Sequence, residues 1–262
     1  MEKGFSETTH EIDIEKKAST EEELRKENEE LKAQLENSRK SMSIVSHDLK
    51  ASIGSTMKLL DFIQEGLKNG YTSNENLANL AGDMKVTTGK TYKLLEDLLE
   101  LGKIQRGEAS PEILSVNLRE EIENSIFLIA EKAKEKEIEI KNEVQNDVQI
   151  LADKKMIESV IRNIASNAVK YTNKGGKILI SSEKVNDKVE ISIEDNGKGI
   201  SKEQMEKIFK SIVRSYDGTH GETGSGVGLT ICNEMINKMN GTIRVQSEEG
   251  KGSKFTISIP SA

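Results

Sequence analysis

The chain has 262 residues, of which 32% are charged, 34% fall in the AVILMFWYC set and only 3% are aromatic, with no Trp. That length holds one large domain or two small ones, and so little aromatic bulk favours long helices with Leu seams over one thick core. The net charge of −7 argues against a general nucleic-acid binder, and a single cysteine, Cys232, excludes an intrachain disulfide or a cysteine-cluster metal site. The cysteine usage fits a reducing compartment. No apolar run approaches the ~18 residues that would span a bilayer, and no signal peptide precedes the acidic start, so we expect a soluble, cytoplasmic protein with no membrane segment in this chain.

Residues 1–20 are polar without a sustained hydrophobic period and read as a flexible tail. From Glu21 the texture changes. Leu24, Leu31, Ser38 and Val45 alternate with Asn28, Leu35, Met42 and Leu49 at spacings of four and three, a heptad seam with the first set at d and the second at a. Asn28 at an a position is the kind of polar residue that fixes register in a two-stranded coil. The seam continues through Ser52/Ile53, Thr56, Leu59/Leu60, Ile63 and Leu67, so the spacing predicts a helix over 21–67, about 70 Å long at ~1.5 Å per residue. Asn69-Gly70-Tyr71 breaks it, and Thr72-x-x-Glu75 has the spacing of a capping box that opens a second helix. Leu77, Leu80/Ala81, Met84, Thr87/Thr88, Thr91, Leu94/Leu95, Leu98 and Leu101 form its seam. Two such helices make an antiparallel hairpin over 21–106 with one apolar face, and a homodimer closes that face into a four-helix bundle.

Residues 107–117, with Gly107 and Pro111, read as a linker, and 118–262 as a mixed α/β domain. Within it the patterns predict a helix over 118–136, a strand over 138–144 and a helix over 154–171. A strand pair follows over 177–185 and 188–194, turning at Asn186-Asp187. A helix over 229–239 and strands over 242–247 and 252–259 complete the domain.

Four groups of residues carry chemistry. His47 falls at an f position, on the outside of the bundle, where a histidine is most often merely solvated. Asp48 beside it changes that reading, because a carboxylate can hold one imidazole nitrogen and leave the other as an exposed nucleophile. On the helix over 154–171, Asn163, Asn167, Lys170 and Tyr171 share one side at i, i+4, i+7 and i+8. Amide oxygens are hard ligands suited to Mg²⁺, which takes the rest of its shell from water and substrate phosphates, and a lysine one turn on can reach those phosphates. Asp195-Asn-Gly197-Lys-Gly199-Ile200 follows a strand, with glycines that permit close backbone approach. Gly224-Ser-Gly226-Val-Gly228-Leu229 runs into a helix, where backbone N–H groups can wrap a polyphosphate. It follows no strand of a βαβ unit, which excludes a dinucleotide fingerprint. Residues 218–228, which include His220, read as a mobile lid.

The order of these blocks resembles the N, G1, F and G2 boxes of sensor histidine kinases: Asn-x-x-x-Asn-Ala-x-Lys-Tyr-Thr, Asp-x-Gly-x-Gly-Ile, Ile208-Phe209 with Arg214, then Gly-x-Gly-x-Gly-Leu. Ser46-His47-Asp48-Leu49-Lys50 resembles the H box on the first helix of the dimerisation hairpin, and residues 247–255 resemble the last glycine turn and strand. The resemblance spans about residues 24–260. It implies a GHKL-type α/β sandwich, the fold shared with gyrase, heat-shock chaperone and mismatch-repair ATPases, behind the helical hairpin. It implies that Asn167 coordinates Mg²⁺ with Asn163 assisting, that Lys170 contacts phosphate, and that Tyr171 packs on the nucleotide of ATP. Asp195 would read the adenine amino group beside Gly197 and Gly199. Gly224, Gly226 and Gly228, followed by Leu229, would close the lid, and Arg214 would stabilise the transferring phosphoryl group. His47, oriented by Asp48, would take that group and pass it to an Asp on the receiver domain of a response regulator.

Three positions depart from the pattern. Ala51 stands where the family usually carries Thr or Asn, a side chain implied to position water for dephosphorylating the partner. Ser52 replaces the following Pro, which removes a helix kink, and Ile212 replaces the second Phe of the F box. Two readings compete with a kinase: an ATPase of the same fold that uses water as acceptor, and a non-catalytic coiled-coil scaffold. The exposed His-Asp pair opposes the first, and intact Asn167, Lys170 and Asp195 oppose the second.

Overall fold

The computed structural model describes residues 3–69, 73–108, 110–209, 212, 218, 219, 222 and 226–262. Residues 1–46 and 47–262 form two compact units. The first unit is helical. Helix α1, Lys3–Asn69, opens well before the seam and takes in most of the stretch read as a flexible tail. No Pro interrupts residues 3–20, and once a coil helix exists each further residue adds a hydrogen bond without a new nucleus. Leu24 and Asn28 are exposed in the single chain.

The second unit holds the rest of α1, helix α2 (Asn74–Gln105) and the α/β layers. The cap of α2 is Ser73, whose hydroxyl accepts the N–H of Asn76, one residue beyond the expected capping-box start at Thr72. Gly70, Tyr71 and Thr72 lie outside the described residues. Across the hairpin, Ser52 donates to the Thr87 carbonyl (3.4 Å) and meets the Thr91 hydroxyl. The position that departs from the family's Pro thus supplies a polar tie between the two helices, and α1 runs through it uninterrupted. Ile53, Leu60 and Leu67, each seven residues apart, stay exposed on α1.

After α2 come strand β1 (Leu114–Asn117), helix α3 (Leu118–Glu135), strands β2 (Glu139–Asn142) and β3 (Gln149–Ala152), and helix α4 (Lys154–Tyr171). Strands β4 (Lys177–Val185) and β5 (Lys188–Asp195) follow, then the single-turn helix α5 (Lys202–Met205). Helix α6 (Gly228–Lys238) and strands β6 (Thr242–Glu248) and β7 (Gly252–Pro260) close the chain. Residues 114–117, expected in the linker, pair antiparallel with β3 and so belong to the α/β layers. Neither strand was readable, since each is completed only by pairing with the other across more than thirty residues.

The main sheet has the order β2-β4-β5-β7-β6, with β2 and β4 parallel and the other pairs antiparallel. Alternation divides β5, whereas β7 buries Thr256 and Ser258 as well as its apolar residues. Ile178, Ile180, Val189, Ile191, Ile193, Phe255, Ile257 and Ile259 are buried, whereas Glu190, Ser192 and Glu194 take the intervening positions of β5. Helices α3, α4 and α6 cover the apolar face with Ile122, Ile129, Ile157, Ile161, Ile164, Ile231 and Ile236, all buried. The buried Glu121 of α3 pairs with Lys154 at the start of α4 (3.0 Å). No helix among the described residues is long and apolar enough to cross a membrane.

Ile161 is fully buried between helices and sheet, so Ile161→Ala removes three methyl(ene) groups from a close-packed layer and leaves a cavity. We expect it to lower stability by ~2–5 kcal/mol in denaturant unfolding. A loss within experimental error would mean that this layer is not the core.

Candidate active site

Helix α4 carries two faces. Asp153 caps it by accepting the N–H groups of Lys155 and Met156. Ile157, Val160, Ile161, Ile164, Ala165, Ala168 and Val169 are buried against the sheet and neighbouring helices. On the other side Asn163, Asn167, Lys170 and Tyr171 are half-buried. The Asn167 amide donates to Asn163 Oδ1 (3.3 Å), which leaves Asn167 Oδ1 as an acceptor on that face. Lys170 Nζ donates to the Tyr171 hydroxyl (2.9 Å), and the Lys170 and Lys198 ammoniums lie 4.6 and 4.9 Å from the centre of the Tyr171 ring.

The glycine turns close on this face. A Cβ at Gly228 would lie 2.4 Å from Asn163 Nδ2, so any larger residue at the start of α6 would displace the asparagine amide. The α6 cap, Val227, offers no side-chain acceptor to the first N–H groups of the helix. Gly197 approaches the Tyr171 carbonyl so closely that a Cβ there would stand 2.4 Å from it. The Lys198 N–H donates to that same carbonyl (3.1 Å).

Asp195 ends β5 beneath these turns and is only 7% exposed. Its Oδ1 accepts the Gly197 N–H (2.9 Å). Burial pushes its carboxyl up to about 6, against the lowering pull of the Gly197 and Ser253 backbone N–H groups. Ser247 braces the region, accepting the Ile200 N–H (2.8 Å) and donating to the Gly252 carbonyl (2.7 Å). Phe209 packs edge-to-face on Phe255 at 6.2 Å, and Ile212, at the departing F-box position, is buried.

The structure thus gathers Asn163, Asn167, Lys170, Tyr171, Asp195, Gly197, Gly228 and the α6 start on one side of the domain. Gly199 follows in the same turn with φ 67°, and Gly226, with φ 71°, precedes Gly228. Arg214, Gly224 and His220 lie outside the described residues. His47 and Asp48 stand on a separate element, α1. The His47 side chain is 67% exposed, and its Nδ1 lies 3.3 Å from Asp48 Oδ1.

Lys136, which sequence reasoning missed, is buried just beyond α3 and donates to the Val169 carbonyl (2.7 Å) at the end of α4. It also reaches Glu222 Oε1 (3.0 Å). Lys132, Lys134 and Lys136 crowd the end of one helical pattern, and nothing in the sequence marks which of them turns inward.

The donor set suits a divalent ion that arrives with a polyphosphate. Among the described residues no group of three or more His, Cys, Asp or Glu could hold a metal by itself. Asn167 Oδ1 is one neutral oxygen, as expected where water and phosphate complete an Mg²⁺ shell.

Residues 152–262 match the family described as histidine kinase-, DNA gyrase B-, and HSP90-like ATPase. The chain is 28% identical over 217 residues to the sensor-like histidine kinase SenX3 of Mycobacterium tuberculosis, covering 82% of this chain and 52% of the relative. It therefore spans about half the length of the curated relatives it matches. The solved catalytic domain of histidine kinase ThkA is 33% identical, with a TM-score of 0.51, covering 57% of this chain and 95% of that one. A ThkA structure in complex with the response regulator protein TrrA is 25% identical with a TM-score of 0.65, covering 93% of this chain and 66% of that one. With the polar face of α4, the buried strand-end aspartate and the glycine turns in one domain behind a helical hairpin, the chain belongs to the sensor histidine kinases with a GHKL-type ATP-binding domain.

Proposed function

We propose that this chain is the core of an ATP-dependent protein-histidine kinase that binds Mg-ATP, phosphorylates itself on His47 and passes the phosphoryl group to an Asp of a response regulator. One observation separates a kinase from a water-using ATPase of the same fold: an exposed imidazole 3.3 Å from its own carboxylate, on a hairpin outside the nucleotide domain. In the tautomer with the proton on Nδ1, that N–H donates to Asp48 and the Nε2 lone pair faces solvent. Nε2 forms the bond to the γ-phosphorus, and the bond to the β–γ bridging oxygen breaks with its electron pair leaving on ADP. The Nδ1 proton stays with the ring, and Asp48 offsets the positive charge that develops there.

On the nucleotide side, Asp195 accepts from the adenine amino group in the space that Gly197 and Gly199 leave open. Tyr171 packs on the nucleotide and Lys170 meets phosphate. Asn167, steadied by Asn163, would hold Mg²⁺, which would supply charge neutralisation for the phosphates. The N–H groups at the start of α6, from Gly228 and Leu229 onward, receive the polyphosphate, with Gly224 and Gly226 in the turn ahead of them. Arg214 is assigned to the charge of the transferring group. Little covalent work falls to the protein, so positioning and charge neutralisation carry the acceleration.

Two copies complete the hairpin. The exposed Ile53, Leu60 and Leu67 form a seven-residue stripe that a second hairpin covers, giving a homodimeric four-helix bundle. That ThkA is seen in complex with the response regulator protein TrrA supports a response regulator as the partner of this chain, and its receiver domain would dock near His47. A cytoplasmic location suits both ATP supply and that partner.

Incubation with γ-labelled ATP and Mg²⁺ tests the reaction. The expected label is acid-labile and base-stable, and it disappears in His47→Gln. Steady phosphate release without label, unaffected by that substitution, would favour the ATPase reading instead.

The Asp195 carboxyl supplies a second test. Adenine recognition uses the carboxylate form, so affinity for an ATP analogue should fall as pH drops through about 6. Stability of the nucleotide-free protein runs the other way. The folded-state value is raised above 3.8, so this group's contribution is complete in acid and is lost as pH rises through about 6. Calorimetric titration and thermal unfolding across that window read both trends. Asp195→Asn should abolish nucleotide binding and flatten the stability trend. Affinity that does not change across the window would contradict the assignment of Asp195.

A further inference from the structure

We propose that Lys136 is a positioning residue of the nucleotide site: its buried ammonium fastens Thr219 and Glu222 onto the carbonyl end of α4 and so fixes where Lys170 stands. The proposal rests on the nucleotide-site reading above. The Lys136 side chain is 5% exposed. Four oxygens surround its three N–H donors: the carbonyls of Val169 (2.7 Å) and Lys170 (3.0 Å), Thr219 Oγ1 (2.5 Å) and Glu222 Oε1 (3.0 Å). Two of these belong to the last turn of α4, where carbonyls lack helical partners and the helix dipole is negative, so a cation there satisfies both. The other two belong to residues that enter the glycine-rich segment far along the chain.

The remaining bonds of these residues tie the same two places together. The Thr219 N–H donates to the Lys170 carbonyl (3.1 Å), and its hydroxyl donates to the Thr172 carbonyl (2.8 Å). The Gly218 N–H donates to the Glu222 carbonyl (2.7 Å). Gly218 lies so close to Lys170 that a Cβ there would stand 2.8 Å from Lys170 Cγ. The Lys170 stem is therefore walled by Gly218, and Gly218 is held by Thr219 and Glu222, which Lys136 holds in turn. A buried ion pair used only for stability could sit anywhere in the core. This one sits where the helix that carries the asparagines and Lys170 meets the segment leading to the glycines.

A double-mutant cycle on affinity for a non-hydrolysable ATP analogue with Mg²⁺ separates positioning from mere stability, because only positioning acts through Lys170. Lys136→Met is expected to weaken the analogue about ten-fold in folded protein with Lys170 intact, and less than about three-fold in a Lys170→Met background. Equal losses in the two backgrounds, or no loss in a folded Lys136→Met protein, would overturn the proposal. If Lys136→Met does not fold, Thr219→Val with Glu222→Gln, which leaves the ammonium the Val169 and Lys170 carbonyls, carries the same cycle. A loss of about three-fold that vanishes with Lys170→Met supports the proposal, and an additive or absent loss overturns it. Wild-type protein that binds no analogue at all would instead remove the nucleotide-site reading, a result seen before any variant is made.

Discussion

Everything at the candidate site depends on α4 being buried on one side and polar on the other. Seven apolar side chains from Ile157 to Val169 seat the helix on its neighbours, which leaves it no freedom to rotate. A rotation by one residue would bring Asn163 and Asn167 toward the core and expose isoleucines, at a cost of several kcal/mol for each unsatisfied amide and stranded apolar group. The asparagines keep their place because of the isoleucines. Apart from the one Asn167–Asn163 hydrogen bond, the amides add little to the helix, and both occupy the side against which the glycine turns close.

The second constraint is where the sheet ends. Asp195 terminates β5 with its neighbours Gly197 and Ser253 aiming backbone N–H groups at it, so its charge is balanced by dipoles instead of by a lysine or arginine. That arrangement holds a carboxylate in a desolvated place without committing it to an ion pair. Gly199 permits the turn to pass over the β6–β7 connection: its φ is 67°, and a Cβ there would lie 2.1 Å from the Glu248 carbonyl oxygen. The sheet end, the turn and the polar face of α4 are thus one packed assembly. The hairpin is governed by different physics. Its seam is thin, with hydroxyl contacts among Ser52, Thr87 and Thr91 where a core would place branched apolar groups. Its outward stripe has no cover within one chain.

What the sequence made legible follows from these constraints. The bounds of α4 were readable to the residue, because an Asp cap, a strong 3.6 period and a polar break at Thr172 coincide. The strand pair over 177–195 was equally plain, since Asn186 sits between two alternating runs and adopts φ 57°. Short elements were not. Strands β1 and β3 and helix α5 are four residues each, so their existence depends on pairing and packing that no local pattern carries. The start of α2 was misplaced by one residue because Thr72 and Ser73 are equally good caps, and only the fold selects between them. Residues 3–20 lack a seam, and helix propagation from the coil overrides that lack. At the site, polar pairs at helical spacing and glycine runs were visible, whereas Lys136, Thr219, Ser247 and Glu222 were not. Their roles come from burial and from contacts across more than 80 residues in the case of Lys136, which composition and period do not encode.

The central claim is that the polar face of α4 and the glycine turns around Asp195 form one nucleotide site. The most direct measurement is a titration of isotope-labelled protein with Mg-bound ATP analogue, followed by amide NMR. The account predicts saturable shifts in the backbone amides of Gly197, Gly199, Gly226 and Gly228 and in the side-chain amides of Asn163 and Asn167, with the hairpin amides around Ile63 and Met84 unmoved. Absence of saturable binding, or shifts confined to a different face of the domain, would contradict it.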